Sequence, residues 1–444
     1  MTRVSPLVPA ALFAAALYLF AGGGPLAAQP PADSESGPAL TLDSEALALL
    51  DPSQSFQLGI DREVDEGYPQ LARRRVAAVV HPAAVDSRGV PTLRRFLDAE
   101  GFTLVRIFHL EWPDRPPPSW WFDLLEEARE RDLPVVALTP DSFVPERSDL
   151  RDVNTVAWDV PLPGGRFELE TAALGAVLEQ ASLARVRFVL FDRPLLGNNS
   201  YVEGPLAEVG YLGSIQAFFP TLLYPGMTPG ELAAFFNEQY SIQADLRVVH
   251  MRNWQRSDGN EWMRNPPPLY VGSEGREVFR SLRGAGVAVR GFEELRALPA
   301  ISGEDVWEST RLDLNEEGRP ALHLVPREVP VVAMMERLEG NPPRGLAVSV
   351  HSPGGDEEPA AVVLTVEGDR DIDPYEAGLR LRTAAVPSIR TQEPPEGHGV
   401  FGTGVAFEAL TRGLNPQQAR RRWVGTSAFR VHLDLRERYL VYPE

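Results

Sequence analysis

Six short apolar runs, alternating with stretches of helical spacing, decide what this chain can fold into. The runs are Val76–Val80, Leu104–Phe108, Pro134–Leu138, Thr155–Val160, Arg187–Phe191 and Leu246–Met251. Between them, Thr92–Ala99, Ser119–Arg131, Leu169–Ala184 and Pro229–Tyr240 carry apolar residues at helical intervals. Runs this short and this apolar need cover on both faces, which a mostly parallel sheet between helices supplies. The expectation is an α/β fold, with a Rossmann-like, mostly parallel sheet domain over residues 56–270. Asn265-Pro266-Pro267-Pro268 ends the pattern. Beyond it, strands are expected at Leu346–Val350 and Ala361–Val366. Helices are expected at Pro374–Thr383, Val405–Thr411 and Pro416–Trp423, with a last one to about Arg438. That mixture predicts a smaller α+β C-terminal domain over 271–444.

The first residues read differently. Arg3 precedes an apolar run from Leu7 to Phe20, then Gly22-Gly23-Gly24-Pro25 and the small-residue exit Leu26-Ala27-Ala28. A basic start, a short apolar run and small residues at a cleavage point make a secretory signal over residues 1–28. The run is shorter than the roughly 20 residues a membrane span needs. No membrane span is therefore expected after cleavage, and a periplasmic or secreted location follows. Residues 29–55, rich in Pro, Ser, Ala and acidic residues, are expected to be a flexible linker.

Several chemistries are excluded early. With 62 acidic against 43 basic residues the net charge is −19, which disfavours binding to a phosphate backbone, so no nucleic-acid partner is expected. There is no cysteine, so no disulfide framework, thiolate nucleophile or thiolate zinc site. The seven histidines form no closely spaced ligand pair, and no metal is expected. Val80 leads into His81-Pro82-Ala83-Ala84 instead of a glycine-rich phosphate loop, so no dinucleotide or other cofactor is expected. No Gly-x-Ser-x-Gly elbow is present.

In a parallel sheet, ligands sit on the loops that follow the strands' carboxyl ends. His81 and His109 fall at such ends, either as site residues or as loop histidines bonded to backbone. The acidic residues there are Glu111, Asp114, Asp159 and Asp192. Carboxyls in that position suit glycoside cleavage, which needs an acid for the leaving oxygen and usually a second carboxylate. Asp192 stands beside Arg193, and such a neighbour pair more often holds a loop than performs catalysis.

At Asp192-Arg193-Pro194, Asn198 and Val202-Glu203-Gly204-Pro205 the sequence resembles a bacterial family of exo-β-N-acetylmuramidases, once known only as a domain of unknown function. Pro225-Gly226-Met227-Thr228-Pro229-Gly230-Glu231-Leu232-Ala233 and Trp254-Gln255-Arg256 are similar to further segments of that family. The resemblance implies an enzyme that releases terminal N-acetylmuramic acid from peptidoglycan fragments. It implies Glu111 as the catalytic acid and Asp159 as the second carboxylate. Arg166 would hold the substrate's lactyl carboxylate, and Asp192, Arg193, Asn198 and Glu203 would belong to the substrate-binding set, which His81 and His109 join as expected site residues by their place just past the strands. Expected partners are peptidoglycan fragments or amino sugars.

The departures are local. Trp112 follows Glu111 where the family has His. Pro161-Leu162 replaces a Gln-Asp pair, Glu168 and Glu170 replace two tyrosines, and His81-Pro82-Ala83-Ala84 replaces Asn-Gln-Thr-Gly. A partly degenerate active site is expected. A non-catalytic muropeptide or sugar binder, or an exported interaction protein on the same fold, stands as the alternative.

Overall fold

The computed structural model describes residues 56–111, 117–195, 199–256, 295, 306–314, 320–339, 342–351, 360–367, 372–385 and 416–443. The expected signal and linker, Trp112, Asp114, Asn198 and the helix expected at Val405–Thr411 lie outside them.

The first strand, β1 (Arg75–Val80), sets the frame. Val76, Ala78 and Val80 enter one hydrophobic core while Ala77 and Val79 enter another, so the strand is buried on both faces. β2 (Thr103–Leu110), β3 (Val135–Leu138), β4 (Thr155–Asp159), β5 (Arg187–Phe191) and β8 (Leu246–Val249) join it in the order β3-β2-β1-β4-β5-β8. Every pairing is parallel. The order grows outward from β1 on one side and from β4 on the other, which puts the topological switch between these two strands. Val80 is level with His109 on one side and Asp159 on the other.

One face is covered by α1 (Gly59–Asp65), α2 (Thr92–Leu97) and α3 (Ser119–Glu130), whose Ile60, Leu93, Phe96, Trp121 and Leu125 pack on the sheet. The other is covered by α4 (Leu169–Ala184) and α5 (Pro229–Gln239). α4 is buried over most of its length, from Leu169 through Leu178, which explains its weak amphipathic pattern. Between β5 and α5 lies a small antiparallel pair, β6 (Glu203–Leu206) and β7 (Leu222–Tyr224). Sequence reasoning did not expect it, because Gly204 and Pro205 sit inside β6.

The C-terminal part is α+β, as expected. β9 (Trp307–Leu314), β10 (Pro320–Pro326), β11 (Leu346–His351) and β12 (Ala361–Val366) form an antiparallel sheet in the order β11-β12-β10-β9. One face, with Leu322, Leu324, Val362 and Leu364, packs on α6 (Val331–Glu339) and α7 (Pro374–Ala385). β9, β10 and α6 were not expected; Glu308, Arg311 and Asp313 make β9 read as a polar loop. α8 (Pro416–Val424) and α9 (Ser427–Arg436) close the chain.

The last residues then return to the parallel sheet. Tyr439 enters the core beneath α4 and α5, and Tyr442 enters the core on the opposite face. The Tyr442 hydroxyl donates to the Asp192 carboxylate at 2.6 Å and accepts from the Met251 N–H at 3.0 Å.

Candidate active site

The carboxyl ends of β1, β2, β4 and β5 bring most of the expected residues to one edge of the sheet, in two separate clusters. The first is at the end of β2. His109 and Glu111 are two residues apart and therefore share a face. Leu110, between them, enters the opposite core. The Glu111 N–H donates to Leu138 O at 2.9 Å, which ties the strand end to β3. The Glu111 side chain is 37% exposed, and its Oε2 lies 4.0 Å from Nε2 of the buried His109. The His109 ring packs edge-on against Trp121 of α3 at 6.5 Å. Burial, with Arg129 adding to it, pushes the imidazole down to about 4, so it is neutral near pH 7.

The second cluster lies at the switch. Asp159 is fully buried at the end of β4, and Arg193 reaches over from the end of β5 to engage both its oxygens at 2.6 and 2.7 Å. Arg193 Nε adds a bond to Oδ1 at 2.8 Å. The Thr92 hydroxyl donates to Asp159 Oδ2, and Arg193 also leans on Val85 O in the loop after β1 at 3.4 Å. Burial pushes the Asp159 carboxyl up, while Arg193 and Thr92 oppose it. Both oxygens are spent on partners within the protein. In this conformation Asp159 offers no free carboxylate to a sugar, and Arg193 offers no free guanidinium. The two form a buried ion pair that joins the ends of β4 and β5 to the loop after β1. Two strand spacings separate Asp159 from the end of β2, about 10 Å laterally.

The other described candidates are each held by contacts within the protein. His81 turns back on its own loop, its Nδ1 accepting from the Ala83 N–H at 3.1 Å. Ala83 and Ala84 behind it are buried, as is Leu162 after β4. Arg166 is buried at the seam with the C-terminal part, near Tyr375 of α7 and His432 of α9, and burial lowers it to about 9. Its backbone N–H donates to Leu223 O of β7 at 2.8 Å. Glu203 binds its partners Trp423 Nε1, at 3.3 Å, and Arg420, both on α8.

Asp192 is saturated. Oδ1 accepts from the N–H groups of Arg193 and Gly230 at 3.0 and 2.8 Å, and Oδ2 from the hydroxyls of Thr228 and Tyr442 at 3.0 and 2.6 Å. A side chain at position 230 would collide with it, since a Cβ there would lie 2.7 Å from Asp192 Oδ2. Glu231 closes the same region. It completes the α5 capping box with Thr228 and pairs with the buried Arg256. Its Oε1 also accepts from the Val441 N–H at 2.8 Å. Glu231, Arg256 and Tyr442 were not singled out as polar centres, because their partners lie far apart in sequence. The segments most specific in the resemblance, from Asp192 to Arg256, thus build a clamp that anchors α5 and the chain's last residues. Among the described residues no group of His, Asp and Glu could hold a metal ion.

Comparison with known proteins agrees with this geometry. Residues 76–270 match the family profile described as exo-beta-N-acetylmuramidase NamZ, N-terminal. The curated peptidoglycan beta-N-acetylmuramidase NamZ of Bacillus subtilis (strain 168) is 29% identical over 201 residues. That match covers 45% of this chain and 48% of the relative, so it spans about half the relative's length. Two crystal structures of DUF1343 family proteins from Bacteroides fragilis share the fold. One has a TM-score of 0.62 at 18% identity, covering 87% of this chain and 99% of the other. The second has a TM-score of 0.56 at 16% identity, covering 88% and 100%.

Proposed function

The chain belongs, through residues 76–270, to the exo-beta-N-acetylmuramidase NamZ family, and from that premise we propose that it is a peptidoglycan glycosidase using Glu111 as its acid. One observation carries the assignment. Of Glu111, Asp159, Asp192 and Glu203, Glu111 alone is half-exposed; the other three are buried and bound to partners. Protonation of a leaving glycosidic oxygen requires a carboxyl that the oxygen can reach.

Asp159 enters this reading as the anchor of Arg193 at the carboxyl ends of β4 and β5. Among the described candidates, that leaves Glu111 as the accessible carboxylate. An N-acetylated amino sugar carries a group of its own, the 2-acetamido oxygen, that can attack its anomeric carbon, and substrate-assisted glycosidases work in this way. Terminal N-acetylmuramic acid, the expected substrate, has that group. Arg166, buried 55 positions after Glu111 at a different seam, is proposed as a packing residue and not as the ligand of the lactyl carboxylate. Residues 1–28 are proposed to direct export to the periplasm or the medium.

The test is release of N-acetylmuramic acid from muropeptide fragments by the purified protein and by Glu111→Gln. Turnover in the wild type and at least a hundredfold loss in the variant is the expected outcome, in the range general acids contribute. Equal rates in both proteins would overturn the assignment. A second reading, a non-catalytic amino-sugar binder, is favoured by the apolar, buried Ala83, Ala84 and Leu162 around the switch. Calorimetric binding of the fragments without any turnover would select it.

A further inference from the structure

We propose that His109 is the positioning residue for Glu111, donating from Nε2–H to its carboxylate at the carboxyl end of β2. The catalytic part of this inference rests on the glycosidase reading above; the contact itself does not.

Three observations support it. His109 near the end of β2 and Glu111 just past it lie two positions apart, with Nε2 and Oε2 already 4.0 Å apart. Shortening this to a hydrogen bond takes about 1 Å of movement by the half-exposed Glu111 side chain. His109 cannot make that adjustment itself. It is level with Val80 in the middle of the parallel sheet and packed against Trp121. It is the fixed member of the pair, and Glu111 the adjustable one.

The second observation concerns the ring's other nitrogen. His109 Nδ1 is buried and has no hydrogen-bond partner among the described residues. A neutral imidazole must leave either a lone pair or an N–H at that atom. Orphaned buried donors are rarer than under-satisfied acceptors. The favoured tautomer therefore leaves the lone pair at Nδ1 and carries its proton on Nε2, the atom nearest Glu111.

The third is charge. The imidazole stays neutral at the pH where the enzyme would work, so it can donate without placing a second full charge beside the acid. A neutral donor orients a carboxylate while leaving its other oxygen for the substrate. Its effect would appear in turnover more than in binding.

The experiment has two arms. In the first, nitrogen NMR of the labelled full chain reads the His109 tautomer in the wild type and in Glu111→Gln, with His109→Gln identifying the resonance. The expected result is an Nε2–H tautomer whose proton signal shifts when Glu111 is replaced. An Nδ1–H tautomer, or a signal indifferent to Glu111→Gln, overturns the proposal whether or not the protein hydrolyses anything. In the second arm, kcat and KM are measured for His109→Phe and His109→Gln. His109→Phe should lose kcat by about 10–100-fold, the range for groups that orient a functional residue, with KM nearly unchanged. His109→Gln, whose amide keeps a donor, should recover part of it. Equal losses in folded Phe and Gln variants would reduce His109 to a packing residue. Absence of turnover together with a positive first arm would sink the glycosidase reading and leave the His109–Glu111 contact standing.

Discussion

The Tyr442 hydroxyl meets the Asp192 carboxylate at 2.6 Å across 250 positions of sequence. Asp192 in turn holds Thr228 and Gly230 at the start of α5, so one carboxylate joins the end of β5, the helix and the chain's last residues.

Removing that hydroxyl tests the clamp. Tyr442→Phe keeps the ring against Trp254, packed edge-on at 4.9 Å, and deletes the hydroxyl that donates to Asp192 and accepts from the Met251 N–H. A buried acceptor losing a charge-assisted bond costs about 1–3 kcal/mol. Chemical denaturation should show that loss, with the parallel sheet otherwise intact by circular dichroism. An unchanged midpoint would mean that the tail is not anchored there.

The Asp159–Arg193 pair makes a different prediction. Breaking a buried pair from one side strands a charge, and typically costs 3–5 kcal/mol, roughly. Asp159→Asn and Arg193→Met should each destabilise by about that much. The double variant should lose less than the sum of the two, because neither charge is then left alone. Additive losses in the cycle would show that the two side chains act independently.

Glu63 gives a pH dependence with a definite sign. It is buried on α1, accepts from the Gln70 and Leu71 N–H groups, and burial raises its carboxyl from 4.5 to about 7. The folded state therefore binds this proton more tightly than the unfolded one between these values. Stability should fall as pH rises from about 4.5 to 7 and level off above, by on the order of 3 kcal/mol at most. Glu63→Gln should flatten that slope and be the more stable protein at pH 8. His109 and His432 act oppositely: lowered to about 4 and about 3, they cost stability as pH falls below 6.5. Urea midpoints measured from pH 4 to 8 in wild type and Glu63→Gln would separate the contributions; parallel curves would rule out Glu63 as the source of the slope.

Export has a simple readout. If residues 1–28 are a signal, protein recovered from the periplasm or medium should begin at Gln29 by mass spectrometry. Protein found only inside the cell, beginning at Met1, would refute it.

The parallel sheet was legible because its strands are apolar runs buried on both faces, and that pattern is local. β9 was not, because a strand carrying Glu308, Arg311 and Asp313 looks solvated until its partner β10 is known. The site shows the same divide. Glu111 could be placed at a strand end from sequence. The fate of Asp192 and Arg193 could not: the adjacent charges suggest a pair, yet Arg193 turns to Asp159, 34 positions earlier, and Asp192 turns to α5 and Tyr442. Side chains of neighbours in an extended segment point to opposite sides, so adjacency in sequence is poor evidence of contact.

The returning tail also bears on the order in which the molecule can be made. A ribosome releases β1 through β8 some two hundred residues before Tyr442. Until then, Asp192 and Glu231 lack three of the donors that satisfy them, and the cores on both faces of the sheet lack a ring. Contacts this distant close slowly, because the intervening chain must first be gathered. The nascent sheet is thus a lock awaiting its bolt: a chain cut short by a dozen residues would retain every strand of the parallel sheet and still be unable to finish it.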